Sequence, residues 1–180
     1  AEIVKYAVIM DAPFFDYLLA HAAKINKRDI SVLKYIIAKC CTLKADVVSK
    51  DEKESSLRAI LNYGHTFGHA IEKAASFSGI AHGEAVSIGM MMAADLAVSA
   101  GIASPDLPER QKELLSALGL PLSTDFRLDA DAALSAMALD KKAESGKIRF
   151  VLPESIGKVR LCSVSDRNMV LNAVKKYSLH

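Results

Sequence analysis

The sequence predicts a mainly α, multi-helix domain with a short β-hairpin near its C-terminus. Three observations predict it. Apolar residues recur at helical spacing in successive segments punctuated by Pro, Gly, Asp and Ser. Residues 84–100 are small or apolar on nearly every face, as in a central buried helix. Ile148–Leu152 and Lys158–Cys162 are short strand-like runs joined by a turn-forming Pro153–Gly157.

Taken in order, Ala1–Ile9 is amphipathic and reads as a helix ending near Asp11-Ala12-Pro13. The pattern opens mid-stream without a methionine, which reads as a piece of a longer polypeptide. Asp11 can cap a second short helix with Pro13 in its first turn and Phe14, Phe15, Leu18 and Leu19 on its apolar side. Ile30, Leu33, Ile36, Ile37, Cys40, Cys41 and Val47 predict a longer helix over 29–48, capped by Asp29 or Ser31. A charged link, Ser49–Ser56, leads into a segment where Arg58, Asn62, His65 and His69 recur at helical intervals. On one continuous helix these four form a polar stripe.

Ser76–Ala81, with Gly79, reads as a turn into the central helix, which Gly101 ends. Met90, Met91 and Met92 suit core filling better than ligation. A helix follows from about Glu109 to Ala117, ended by Gly119 and Pro121. Asp129 or Asp131 caps the next, which carries Leu134, Met137 and Leu139, and Asp140–Lys147 is a turn-forming loop. After the hairpin, Ser165 or Asp166 caps a last helix bearing Val170, Leu171 and Val174.

At 180 residues, 51% hydrophobic and 24% charged, the chain has the composition of an ordinary folded domain. The 23 basic and 21 acidic side chains leave a formal charge of only +2, and no basic tract is interleaved with aromatics. A nucleic-acid partner is therefore not expected. Cys40, Cys41 and Cys162 form no metal motif and argue against a secreted disulfide framework. No signal peptide opens the chain and no apolar run reaches membrane length, so the expectation is a cytoplasmic protein with no membrane partner.

The chemistry concentrates between Arg58 and Met92. His65 and His69 stand four apart, one helical turn, and His82 follows a glycine-containing connection. A single histidine beside an apolar helix is usually a packing residue. Three of five histidines within 18 residues point instead to a metal or catalytic role, because catalytic zinc sites take three protein ligands and keep an open position. The spacing is not that of a HExxH site, since Thr66 stands where the glutamate would be. A stripe of Arg58, Asn62, His65 and His69 is unlike a water-facing helix, where Lys and Glu dominate; it suits the wall of a polar cavity. Glu2 and Lys5, three apart, can face one cavity or form a surface pair. Lys44 near its helix's C-terminus is already explained by the helix dipole.

These same residues carry a resemblance. Ala1–Tyr6, Asp51–Glu54, Leu57–Glu72 with its Asn-Tyr-Gly-His-Thr-Phe-Gly-His core, His82–Val86 and Asp140-Lys141-Lys142 resemble, in order, the C-terminal helical domain of the 3-dehydroquinate synthase family, within the sugar-phosphate cyclases. The resemblance implies one helical metal- and substrate-binding domain over 1–180. An N-terminal Rossmann-like NAD-binding domain would lie outside the chain, and no glycine-rich nucleotide loop stands within it. It departs at Ser56, where the family pattern has glycine.

By resemblance, Glu2, His65 and His82 hold Zn²⁺ or Co²⁺. His69 and Asn62 line the substrate site, with Lys5 among the catalytic set. Lys44, Arg58 and one of Lys141 and Lys142 give positive charge to the substrate's carboxylate and phosphate. The implied reaction is NAD-dependent cyclisation of 3-deoxy-D-arabino-heptulosonate 7-phosphate to 3-dehydroquinate with loss of phosphate, in the shikimate pathway. The implied partners are this phosphorylated sugar acid, the NAD-binding domain and a second copy in a homodimer. The alternatives are a related cyclase such as 2-deoxy-scyllo-inosose synthase, a metal-dependent polyol dehydrogenase, and a non-catalytic helical interaction domain.

Overall fold

The computed structural model describes residues 1–50, 57–75, 79–140 and 148–179. Their order is α1 (Glu2–Met10), α2 (Ala12–Ala20), α3 (Ala22–Asn26), α4 (Ile30–Lys50), a 3₁₀ helix (Leu57–Asn62), α5 (His65–Ala74), α6 (His82–Ser99), α7 (Leu107–Ala117), α8 (Ala130–Asp140), β1 (Ile148–Ser155), β2 (Lys158–Val164) and α9 (Arg167–Lys176). The expected mainly helical architecture with a late hairpin is present. The short α3 has no counterpart in the sequence reading.

Helix α6 is the axis. Ala85–Ala94, Leu96 and Ala97 are all buried, and α5, α7, α9 and β1 pack around it. A helix surrounded on every side has no polar face to show, which accounts for its apolar sequence. Met90, Met91 and Met92 are core residues. Phe67 of α5 stacks on Phe150 of β1 with centroids 5.1 Å apart. Between α6 and α7, the fully buried Tyr63 hydroxyl lies 2.6 Å from Gln111 Oε1 and 3.2 Å from the Met90 carbonyl. Such a pairing is what lets polar atoms sit in an apolar interior, where an unmet hydroxyl or amide costs about 1–3 kcal/mol.

The open choices of cap resolve to aspartates. Asp11 accepts from the Phe14 N–H at 2.8 Å, Asp29 from Val32 at 3.1 Å, Asp129 from Ala132 at 3.0 Å and Asp166 from Asn168 at 2.8 Å. Each satisfies a first-turn donor that the helix itself leaves orphaned. Asp11 also meets Lys39 Nζ at 2.7 Å, tying α4 to the α1–α2 corner.

Two sequence expectations are corrected. Arg58, Asn62, His65 and His69 do not lie on one continuous helix: a 3₁₀ helix ends at Asn62, and α5 begins at His65. Gly64 makes the break in a left-handed conformation, φ +77°; a Cβ there would lie 2.9 Å from the Val86 carbonyl oxygen. The hairpin turn is also tighter than Pro153–Gly157. Pairing continues to Ser155↔Lys158, with an irregularity between Pro153 and Ser155. Gly157, φ +89°, donates to the Val8 carbonyl at 2.9 Å, which seats the hairpin tip on α1. The expected charged link at 51–56, part of the turn at 76–78 and the loop at 141–147 lie outside the described residues.

Candidate metal centre

Three elements converge on one point. Glu2 opens α1, His65 opens α5 and His82 opens α6. One ligand atom from each, a carboxylate oxygen and two imidazole nitrogens, lies within 4.8 Å of the others. The sequence distance from Glu2 to His82 is closed by packing. α1 and α5 each approach α6, and Gly68 and Gly89 let α5 lie tightly against it. A Cβ on Gly89 would overlap the Gly64 carbonyl oxygen and lie 2.8 Å from Gly68 N.

The hydrogen bonds behind the imidazoles fix which nitrogens face inward. His65 Nδ1 lies 3.0 Å from the Tyr63 carbonyl oxygen. A carbonyl can only accept, so Nδ1 carries the hydrogen and Nε2 presents a lone pair. That Nε2 faces Glu2 Oε1 at 3.4 Å. A nitrogen lone pair and a carboxylate oxygen so placed call for a proton or a metal ion between them. The other Glu2 oxygen accepts from Lys5 Nζ at 2.6 Å. With a proton in that place, the hydrogen bond from His65 holds the Glu2 carboxyl at about 2; burial opposes this, and Lys5 adds to it. Glu2 thus stays ionised and available for a cation. The mixture of one carboxylate with two imidazoles suits Zn²⁺, and three protein ligands leave coordination positions open.

His82 Nδ1 meets Glu72 Oε1 at 2.9 Å across α5 and α6. Sequence alone gives Glu72 no role. The available signal is its place seven residues after His65, two turns along the same face.

Residues 1–143 match the family model described as 3-dehydroquinate synthase C-terminal. This chain belongs to that family. It is 47% identical over 175 residues to a 3-dehydroquinate synthase of Thermodesulfovibrio yellowstonii, spanning 96% of this chain and 49% of that protein. To the enzyme of the same name from Rhodopirellula baltica it is 47% identical over 175 residues, 97% of this chain and 46% of the relative. The Aliivibrio fischeri enzyme is 43% identical over 176 residues, 98% and 49% respectively. The chain therefore spans about half the length of the curated relatives it matches.

The fold agrees. A 2-epi-5-epi-valiolone synthase from Streptomyces hygroscopicus, solved with NAD⁺ and Zn²⁺ bound, superposes with a TM-score of 0.84 at 24% identity, over 98% of this chain and 49% of that one. A 2-deoxy-scyllo-inosose synthase complexed with carbaglucose-6-phosphate, NAD⁺ and Co²⁺ gives 0.72 at 21% identity, over 99% and 51%.

The remaining residues singled out for the cyclase family are placed as follows. His69 is exposed one turn along α5, its ring 5.7 Å from that of His65 and 6.3 Å from that of His82. It stands beside the three converging donors and is not one of them. Lys5 is buried, 4% exposed, despite its charge, and Glu2 is its partner. Arg58 and Asn62 are exposed on the 3₁₀ helix, which packs against α1 and α4; Lys44 is exposed on α4. Lys141 and Lys142 lie outside the described residues.

Proposed function

We propose that this chain is the metal- and substrate-binding part of a 3-dehydroquinate synthase, acting on 3-deoxy-D-arabino-heptulosonate 7-phosphate in the cytoplasm. The observation that carries the reading is the convergence of Glu2, His65 and His82 in a chain whose relatives at 43–47% identity bear that enzyme's name. NAD would be held by a domain outside these 180 residues, as the half-length span of the relatives suggests, and the assembled enzyme would be a homodimer.

A Zn²⁺ or Co²⁺ ion held by Glu2, His65 and His82 would supply Lewis-acid polarisation and a template for substrate oxygens. The chain's own side chains do the rest of the positioning. Lys5 sits inside the site as a fixed cation, with Glu2 orienting it. Arg58 offers a planar fork of donors to a carboxylate or phosphate, and Lys44 and Lys141 or Lys142 act as mobile point charges. Asn62 and His69 supply hydrogen bonds to the substrate beside the metal. Positioning of this kind holds a flexible sugar phosphate in one reactive conformer.

Calorimetric titration of the metal-stripped chain with Zn²⁺ tests the reading. The expected result is one ion per chain, lost in His65→Ala. Absence of binding to the unaltered chain calls for the same titration on the full-length protein: binding there means that the cavity requires the other domain, and absence there too overturns the reading in favour of a helical interaction domain. The purified chain with NAD⁺, Zn²⁺ and substrate is expected to form no 3-dehydroquinate; measurable product would overturn the assignment of NAD to another domain.

A further inference from the structure

The two imidazoles of the candidate centre are held from behind by acceptors of different kinds. His65 Nδ1 reaches a backbone carbonyl, that of Tyr63, which the fold supplies whatever the side chain. His82 Nδ1 reaches a side chain, Glu72 Oε1, at 2.9 Å. His82 is the first residue of α6 and its side chain is 50% exposed, so packing alone restrains it little. Glu72 is 32% exposed on α5, two turns beyond His65. One helix therefore carries both a metal-ligand candidate and the acceptor for the next.

We propose that Glu72 is the positioning residue of this centre: its carboxylate accepts the His82 Nδ1 hydrogen, fixing the tautomer and ring orientation that turn Nε2 toward Glu2 and His65. The physical grounds are general. A neutral imidazole has one hydrogen and one lone pair, and an ionised carboxylate only accepts, so the Glu72 contact forces the hydrogen onto Nδ1. Ligating histidines ordinarily have such a partner on the far nitrogen, which also raises ligand basicity; its removal weakens metal binding about 10–100-fold. Glu72 performs a second task by bridging α5 and α6 next to the donors, where a small rotation of His82 would open the triad.

The inference rests on the metal-centre reading, and its test separates the two. ¹⁵N-edited NMR of the metal-free chain at pH 8 reports the His82 tautomer without any metal. The unaltered chain is expected to carry the hydrogen on Nδ1. Glu72→Ala is expected to shift His82 toward the Nε2–H form while His65 keeps its state, and to weaken Zn²⁺ about 10–100-fold in calorimetry. Glu72→Gln keeps an acceptor oxygen and is expected to retain the Nδ1–H form and an intermediate affinity. An unchanged tautomer and unchanged Zn²⁺ affinity in Glu72→Ala overturn the role of Glu72. A chain that shows the tautomer shift yet binds no Zn²⁺ in any form overturns the metal reading and leaves the hydrogen bond as found. Thermal melts of both variants serve as the folding control, with midpoints expected to fall only modestly because solvent screens the partly exposed Glu72–His82 contact.

Discussion

Lys5 Nζ sits 2.6 Å from Glu2 Oε2, so the helix that offers a carboxylate to the candidate metal site also neutralises a buried ammonium with it. The other oxygen of the same group, Oε1, faces His65. Glu2 therefore answers to two charges at once. Glu2→Gln should both abolish stoichiometric Zn²⁺ binding and strand Lys5 without a counter-charge. Breaking a fully buried pair costs about 3–5 kcal/mol. Glu2 is 47% exposed, and solvent screening reduces the expectation to about 1–2 kcal/mol. Urea unfolding of the metal-free chain checks this, and Glu2→Gln combined with Lys5→Met should recover most of the loss.

Gly89→Ala should be costly. Its Cβ would overlap the Gly64 carbonyl oxygen and lie 2.8 Å from Gly68 N, and backbone on a neighbouring helix cannot swing aside. Overpacking costs about 1–3 kcal/mol, and occasionally more; the upper end is expected here. Gly83→Ala is the control, since its Cβ meets only Ala1 Cβ, at 3.8 Å. It should change stability by less than about 0.5 kcal/mol. Denaturant midpoints of the two variants should separate clearly.

His69 gives a sharper test of ligand choice. It lies one turn from His65 and by sequence is as good a candidate, yet the converging donors are Glu2, His65 and His82. His69→Ala should keep one Zn²⁺ per chain with affinity within a few-fold of the parent, while His82→Ala loses it. Isothermal titration of both variants decides.

The cysteines carry a pH prediction. Burial pushes the Cys40 thiol up to about 11, with the neighbouring Cys41 and Glu2 charges adding to the effect. The unfolded chain thus releases this proton first, near 9.0, and the folded chain only near 11. Between these values the native state binds more protons, so the contribution of Cys40 to stability is present below pH 9 and declines as pH rises toward 11. Melting temperatures from pH 8.5 to 11 should fall less steeply in Cys40→Ala than in the parent. At pH 8, iodoacetamide should label the exposed Cys41 before Cys40, as peptide mass analysis would show.

Much of this molecule is legible in its residues, and what is not has identifiable causes. The central helix announces itself because burial on all sides leaves no polar face; only its start shifts, from Glu84 to His82. The hairpin is legible from its β-rich runs, but not its tight turn, because Gly157 takes its conformation while docking on Val8. Arg58, Asn62, His65 and His69 mislead for a related reason. Their spacing fits one helix, and nothing local reveals that Gly64 must turn left-handed to pass Val86 and Met90. The pairing of Glu2 with Lys5 follows from a spacing of three; the approach of His65 to Glu2 is a tertiary event with no local trace. Glu72 is invisible for the same reason, since its partner sits on the next helix.

The bond from Gly157 to Val8 has one more consequence. The family model ends at residue 143, inside the 96–98% of the chain that the curated relatives match, and the hairpin that braces α1 lies beyond it. A chain trimmed at that residue would keep Glu2, His65 and His82 and yet lose the brace beneath α1, the helix that presents the first of them.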